Sequence, residues 1–360
     1  MRKERLLHID IIRIVSCYFV IFNHSSSKGY TLFSTYPTGS FRFVAYLSVS
    51  VFSKMSVPEF FSLSGSGLLG QQSVAFPKEL QYRITKLLSS LIPFSFLYEI
   101  LRATREHRYF SVKPYVIHMW GAGPEFHLWF LYGYLYYLLS LPFLRHIAQQ
   151  LSGTESMYLA GASILFHGLW PMLEYLFGPS SLTLFGTEES IWFINNICIC
   201  PCIGYVIEHS VYSDGIHLQH LLFVTGLALL SFALVDGLTV YQFNQEKHGR
   251  GHQELFYRRF SMLNAWCLHL WIKYLLRNWS PPKIWETMIH SVAQATFGIY
   301  LFHIMILRIP WMEVVYTALR KTRINIMIVG NMYCAIVMTI GYMLTALLSH
   351  IPLLKKAVGF

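Results

Sequence analysis

Apolar blocks close to 20 residues long recur along this chain, and their length constrains the fold more than any single motif does. About 20 apolar residues in a helix cross the roughly 30 Å of hydrocarbon in a bilayer. A backbone in that layer must satisfy its own hydrogen bonds, which for blocks of this length means α-helices. The first three blocks run from about 6 to 24, from about 50 to 69, and onward from near Ile84. The fourth opens at His127, and the others cover about 156–177, 190–208, 217–238, 256–277, 290–312 and 326–349. The expected architecture is therefore all-α: a polytopic membrane protein with ten transmembrane helices in one bundle. Residues 1–360 are expected to form a single membrane domain without a soluble extension.

Composition agrees. The 360 residues are 54% hydrophobic and 13% charged, with a mean hydropathy of +0.43. Soluble domains carry about 25% charged residues. Phe, Tyr and Trp make up 16% of the chain, and many Tyr and Trp fall at block ends, as in interfacial aromatic belts. The net charge of +10 is spread over loops. No basic domain exists to hold a phosphate backbone, so nucleic acid is excluded as a partner. The bilayer, anionic lipid and an anionic substrate or donor fit the charge better.

Ten crossings put both termini on one side, and the basic flank Met1-Arg-Lys-Glu-Arg5 places that side in the cytoplasm. The loops do not reinforce this orientation: eleven Lys and Arg fall on the cytoplasmic side and thirteen outside. The first helix usually dominates, and the orientation rests on it.

Within the first block, Asp10 to His24 reads DIIRIVSCYFVIFNH. Arg13 and His24 are eleven positions apart, about 16 Å along a helix, and about 100° per residue brings both to one face. Ionisable side chains are expensive in lipid and usually line a cavity or pathway. The alternative is that both are helix-end anchors reaching for opposite interfaces.

Other blocks carry comparable features. In the second, Pro58 should kink the helix, Glu59 is an acid among apolar residues, and Ser64-Gly-Ser-Gly67 permits close approach of another helix or a ligand. Arg83 and Lys86, three apart, share the first face of the third helix. His127 and Trp129 open the fourth helix, and His303 lies inside the ninth. Cys198, Cys200 and Cys202 are not read as a metal site: alternate residues on a helix diverge and no nearby histidine completes a set. No metal is expected from the sequence.

Four stretches together resemble the membrane acyltransferase 3 family, which O-acylates bacterial surface glycans. They are Arg13-x10-His24 after Leu-x-Ile-Asp, Val57-Pro-Glu-Phe-Phe-Ser-Leu-Ser-Gly65, His127-Leu-Trp-Phe-Leu131, and Phe297-Gly-Ile-Tyr-Leu-Phe-His303. Order and approximate separation match, and the resemblance covers nearly the whole chain. Where the family often has Arg-x-x-Arg at the start of the third helix, this chain has Arg83-Ile-Thr-Lys86, which keeps the charge and loses one planar fork. The family's acid before Phe-Phe falls at Pro58, and the role of that acid is not transferred to Glu59, one step later.

The resemblance implies a membrane O-acyltransferase in a bacterial cytoplasmic membrane. It would move an acyl group, acetyl in the simplest case, from acyl-CoA to a hydroxyl of a surface polysaccharide or lipid-linked sugar. No permanently bound cofactor is expected; acyl-CoA is the donor substrate. His24 is the first candidate for the base, since a histidine titrates near neutrality, with Arg13 and His127 beside it in the catalytic set. Arg83 and Lys86 are candidates for the donor's phosphates. Glu59, Trp129 and His303 are further candidates, Trp129 being also an interfacial residue and His303 a packing one. A transporter or flippase for a lipid-linked sugar would use similar buried charges, but no matching half-repeats are present. A scaffold with a degenerate fold is the third possibility, against which Arg13, His24 and His127 stand.

Overall fold

The computed structural model describes residues 6–71, 76–121, 123–178, 196–209, 216–246 and 259–358. Among them the ordered elements are helices, with no strand. The Met1–Arg5 flank lies outside the described residues. Among the described residues, four helices are long and apolar enough to cross a bilayer: Pro77–Arg105, Leu218–Gln245, Lys283–Leu307 and Ile326–Ser349. A helix covers at least part of each of the ten apolar blocks.

Helix α1 is Leu7–Asn23. It is followed by α2 (Phe41–Ser53) and α3 (Ser56–Leu68). The second helix expected over about 50–69 is thus broken near its start, its first residues belonging to the end of α2, which begins earlier, at Phe41, and proline chemistry explains the break. Pro58 has no N–H and its ring clashes with the carbonyl four residues back, which belongs to Lys54. The helix stops at Ser53 and restarts at Ser56, which puts Pro58 in a first turn where it is tolerated. The rest of the first half comprises α4 (Phe76–Arg105), α5 (Val112–Trp120, in the stretch before the fourth apolar block) and α6 (Trp129–Gln150).

α7 (Gly153–Ser163) leads through a π-helical segment, Ile164–Leu169, into α8 (Trp170–Phe177). Pro171 cannot donate to the carbonyl of His167, and the Arg259 guanidinium donates to it instead at 3.3 Å. Then come α9 (Asn196–His209), α10 (Leu218–Glu246), α11 (Ser261–Leu276) and α12 (Lys283–Leu307). α13 (Pro310–Arg320), α14 (Ile326–Ser349) and α15 (Pro352–Ala357) complete the chain. The block expected over 290–312 divides after Leu307, because Pro310 keeps Ile309 extended and starts α13.

α1 packs against α3, α11, α12 and α14. α12 is the most enclosed candidate span: 61% of its apolar window is buried, against 28% for α10 and α14. Leu222, Phe223, Leu229 and Leu230 of α10 are exposed, as lipid-facing residues are. The closest helix pair is α3 with α9, and small residues make it possible. A Cβ at Gly65 would stand 1.9 Å from the Pro201 carbonyl oxygen, and one at Gly204 would stand 2.2 Å from that of Ser62. Of the expected small-residue tract, Gly65 is therefore the contact, while Gly67 has open space around its Cβ position.

Gly65→Ala should force α3 from α9 and cost about 1–3 kcal/mol, as overpacking does. Gly67→Ala should be neutral. Thermal melting of the purified variants in detergent checks this, and equal melting of the two would refute the packing assignment.

Candidate active site

The site is built at one end of α1. His24 ends that helix, its backbone N–H donating to the Ile21 carbonyl at 3.0 Å. The ring meets His303, which lies one turn before the end of α12. His24 Nδ1 and His303 Nε2 are 2.7 Å apart, and the rings lie 21° from parallel with centroids at 4.9 Å. His303 is completely buried, and its Nδ1 is 2.5 Å from the carbonyl oxygen of Tyr300.

That second contact decides the tautomers. A carbonyl oxygen only accepts, so His303 Nδ1 carries hydrogen and donates. In the neutral ring Nε2 is then an acceptor, so the hydrogen between the two histidines belongs to His24 Nδ1. His24 Nε2 is left with its lone pair. The assignment follows from the network, as histidine tautomers do generally.

His127 closes the third side. It sits in a short 3₁₀ turn, Phe126–Leu128, ahead of α6, and is 1% exposed. Its ring lies edge-on to His303 at 5.2 Å and to Tyr98 at 4.8 Å. Tyr300 donates its hydroxyl to the His127 backbone carbonyl at 2.5 Å. Neither His127 ring nitrogen has a hydrogen-bond partner among the described residues. A buried polar group in that condition usually awaits a ligand or a solvent molecule.

Two clamps hold the arrangement. Glu125, just before the turn, accepts two bonds from the Arg308 guanidinium just beyond α12, one of them at 3.0 Å. It also accepts from the Phe126 backbone N–H at 3.3 Å. The turn bearing His127 is thereby tied to the helix end bearing His303. The second clamp is Asn23, which donates to the Ser53 carbonyl at 2.9 Å and accepts from the Ser53 hydroxyl at 2.7 Å. It fixes the α2–α3 break beside His24. Lys54, in that break, lies 4.2 Å over the Tyr30 ring.

Rings continue the site along the bundle interior. Tyr300 lies 5.8 Å from His303 and 5.5 Å from Phe130; Phe130 is 6.2 Å from Tyr134, and Tyr134 is 5.6 Å from Tyr137. At Tyr134 the guanidinium groups of Arg13 and Arg83 both exert their field on the phenol. Arg13, 35% exposed, also approaches Asp10 at 3.5 Å. An aromatic wall thus leads from the three histidines along α6.

The structure therefore brings His24, His127 and His303 together. It does not gather the remaining candidates. Lys86 is exposed on α4. Arg83 pairs with Glu79 at 2.9 Å and donates to Gln71 at 3.0 Å, and Glu79 is shared with the buried Arg145 at 3.1 Å. Trp129, 45% exposed, lies beside Phe130 at 6.5 Å, outside the histidine cluster. Glu59 is fully buried but faces His269 on α11. Tyr98, Tyr300, Glu125, Arg308 and Lys54 were not singled out by sequence reasoning. Tyr300 carried a signal, being three residues before His303 and so on its face.

A family model of the acyltransferase 3 group, described as an acyltransferase domain, matches residues 6–350. No curated protein and no solved structure matches the chain. The match spans both α1 and α12, and with them the whole histidine cluster. The chain belongs to the acyltransferase 3 family of membrane acyltransferases.

Proposed function

We propose that this protein is an O-acyltransferase, moving an acyl group, acetyl in the simplest case, from acyl-CoA to a hydroxyl of a surface polysaccharide or lipid-linked sugar. In this reading the chain crosses the cell membrane ten times with both termini cytoplasmic. The observation that carries the chemistry is the chain Tyr300 carbonyl, His303, His24, which leaves His24 Nε2 as a bare base at the mouth of a buried histidine cluster.

The acceptor hydroxyl gives its proton to His24 Nε2 as its oxygen attacks the thioester carbonyl. Positive charge on His24 is shared with His303, whose other nitrogen is held by a carbonyl dipole. His127, with both nitrogens uncommitted and almost no exposure, supplies a hydrogen bond to the carbonyl oxygen as it becomes an oxyanion. The C–S bond then breaks, and His24 returns the proton to the leaving thiolate. The products are an ester and a thiol, with no net proton change.

The donor enters from the Arg13 and Arg83 end, and its flexible arm runs along the Tyr137–Tyr134–Phe130–Tyr300 wall. Arg83 and Lys86 meet the phosphates, Arg83 exchanging part of its contact with Glu79 for the donor.

His24→Ala should lower acyl transfer by about 10²- to 10⁴-fold, the usual contribution of a general base, with unchanged protein level and melting temperature. Acetyl incorporation into glycan by proteoliposomes supplied with labelled acetyl-CoA measures it, and full activity in a folded variant would remove His24 from the mechanism. Arg83→Ala and Lys86→Ala should raise the KM for acyl-CoA, more so at higher salt, with kcat little changed. Donor binding equal to the parent's in the purified variants would place the phosphates elsewhere.

A further inference from the structure

The interior holds a second convergence of ionisable side chains, and acyl transfer makes no use of it. His269 on α11 is completely buried. Its Nδ1 lies 2.8 Å from Glu59 on α3, and its Nε2 lies 2.8 Å from Oε1 of Glu208 near the end of α9. His8, in the first turn of α1, brings its Nε2 to 3.0 Å from that same oxygen. The second oxygen of Glu208 faces Lys273 at 3.3 Å, and Lys273 also donates to the Ile207 carbonyl at 2.8 Å. One atom from each of His8, Glu208 and His269 falls within 4.8 Å of the others.

We propose that His8, Glu208 and His269 bind a zinc ion, clamping the first turn of α1 to the end of α9 and the middle of α11. Two imidazoles and one carboxylate are a ligand set that zinc takes when one position stays open. Tetrahedral ligands at about 2.0–2.1 Å from zinc stand about 3.3 Å apart. The two separations from Glu208, 2.8 Å and 3.0 Å, reach that with movements of a few tenths of an ångström, and the two histidine nitrogens, within 4.8 Å of each other, close onto the ion by turning the His8 ring at the cleft.

Charge and orientation point the same way. Glu59 and Glu208 are 0% and 5% exposed, while Lys273 is the one lysine or arginine among the described residues paired with either. Buried carboxylates are paired or coordinate metals, so this pocket needs positive charge beyond Lys273, which a metal ion on the imidazoles supplies and a proton on His269 would supply in its place. Neither Glu59 oxygen makes an aligned hydrogen bond, which leaves that carboxylate as an electrostatic partner behind His269. A carboxylate in that position turns the far nitrogen of an imidazole toward a metal and strengthens it as a ligand. An approach also exists. A cleft of about 510 Å³ lined by His8, Lys273, Arg277, Glu286 and His290 opens onto the cluster at His8.

No local motif announces this set, because Glu208 is 200 positions from His8 and 61 from His269. It is also separate from the cysteines of α9, all three of which are free and buried.

The test uses the full chain, purified in detergent, incubated with Zn²⁺ and freed of excess metal. About one zinc per chain should remain, removable by a chelator and restored on addition. His8→Ala, which changes the outermost ligand, should reduce retention at least tenfold, and so should Glu208→Gln. Cys198→Ser, Cys200→Ser and Cys202→Ser combined should leave retention unchanged. Binding should weaken as pH falls, since protons compete for the same nitrogens. Cobalt in place of zinc should give a tetrahedral visible spectrum that His8→Ala abolishes. Absence of retained zinc in the folded parent would overturn the proposal and leave a protonated His269 between two carboxylates. Retention unaffected by His8→Ala and Glu208→Gln would overturn it equally.

Discussion

A polar side chain inside a bundle sunk in hydrocarbon has no water to turn to, so it must find its partner within the protein, on its own helix or on another. The histidine cluster and the Glu59–His269 contact both follow from that requirement. Each joins helices distant in sequence: α1 to α12 through His24 and His303, and α3 to α11 through Glu59 and His269. The same requirement orders the chemistry. His303 is held by a backbone carbonyl and so has one nitrogen left to accept with, which determines which nitrogen of His24 keeps its lone pair.

α1 gathers these contacts along its length. Its first turn meets the buried carboxylate of Glu208, its middle carries Arg13 toward Tyr134, and its end presents His24. The proposed donor, with an anionic handle and a long neutral arm, would suit a path from arginines along aromatic rings to histidines. The clamps at Glu125–Arg308 and Asn23–Ser53 keep the far end rigid, and rigid placement is what gives a hydrogen bond to a developing oxyanion its effect.

Much of this was legible in the sequence, in parts rather than as a whole. The eleven-residue spacing of Arg13 and His24 placed them on one face, and His127 and His303 stood out in motifs. What the sequence could not supply was their meeting, since 279 positions separate His24 from His303 and nothing local encodes the contact. The break at Lys54 was readable from Pro58 once the carbonyl four residues earlier is considered. The Glu79–Arg83 pair was readable as an i, i+4 contact, and it shows why Arg83 is less open than its position at the start of α4 suggests. Glu59 was recognisable as an unusual acid; its partner His269 lies in a block without any motif.

The coupling of His24 to His303 is measured most directly by a double-mutant cycle on acyl-transfer rate, comparing His24→Ala, His303→Ala and the double variant in proteoliposomes. Two residues acting as one unit give grossly non-additive losses. The expected result is that His303→Ala slows the parent strongly and has no further effect once His24 is alanine. Fully additive losses would contradict the relay and make His303 an independent contributor.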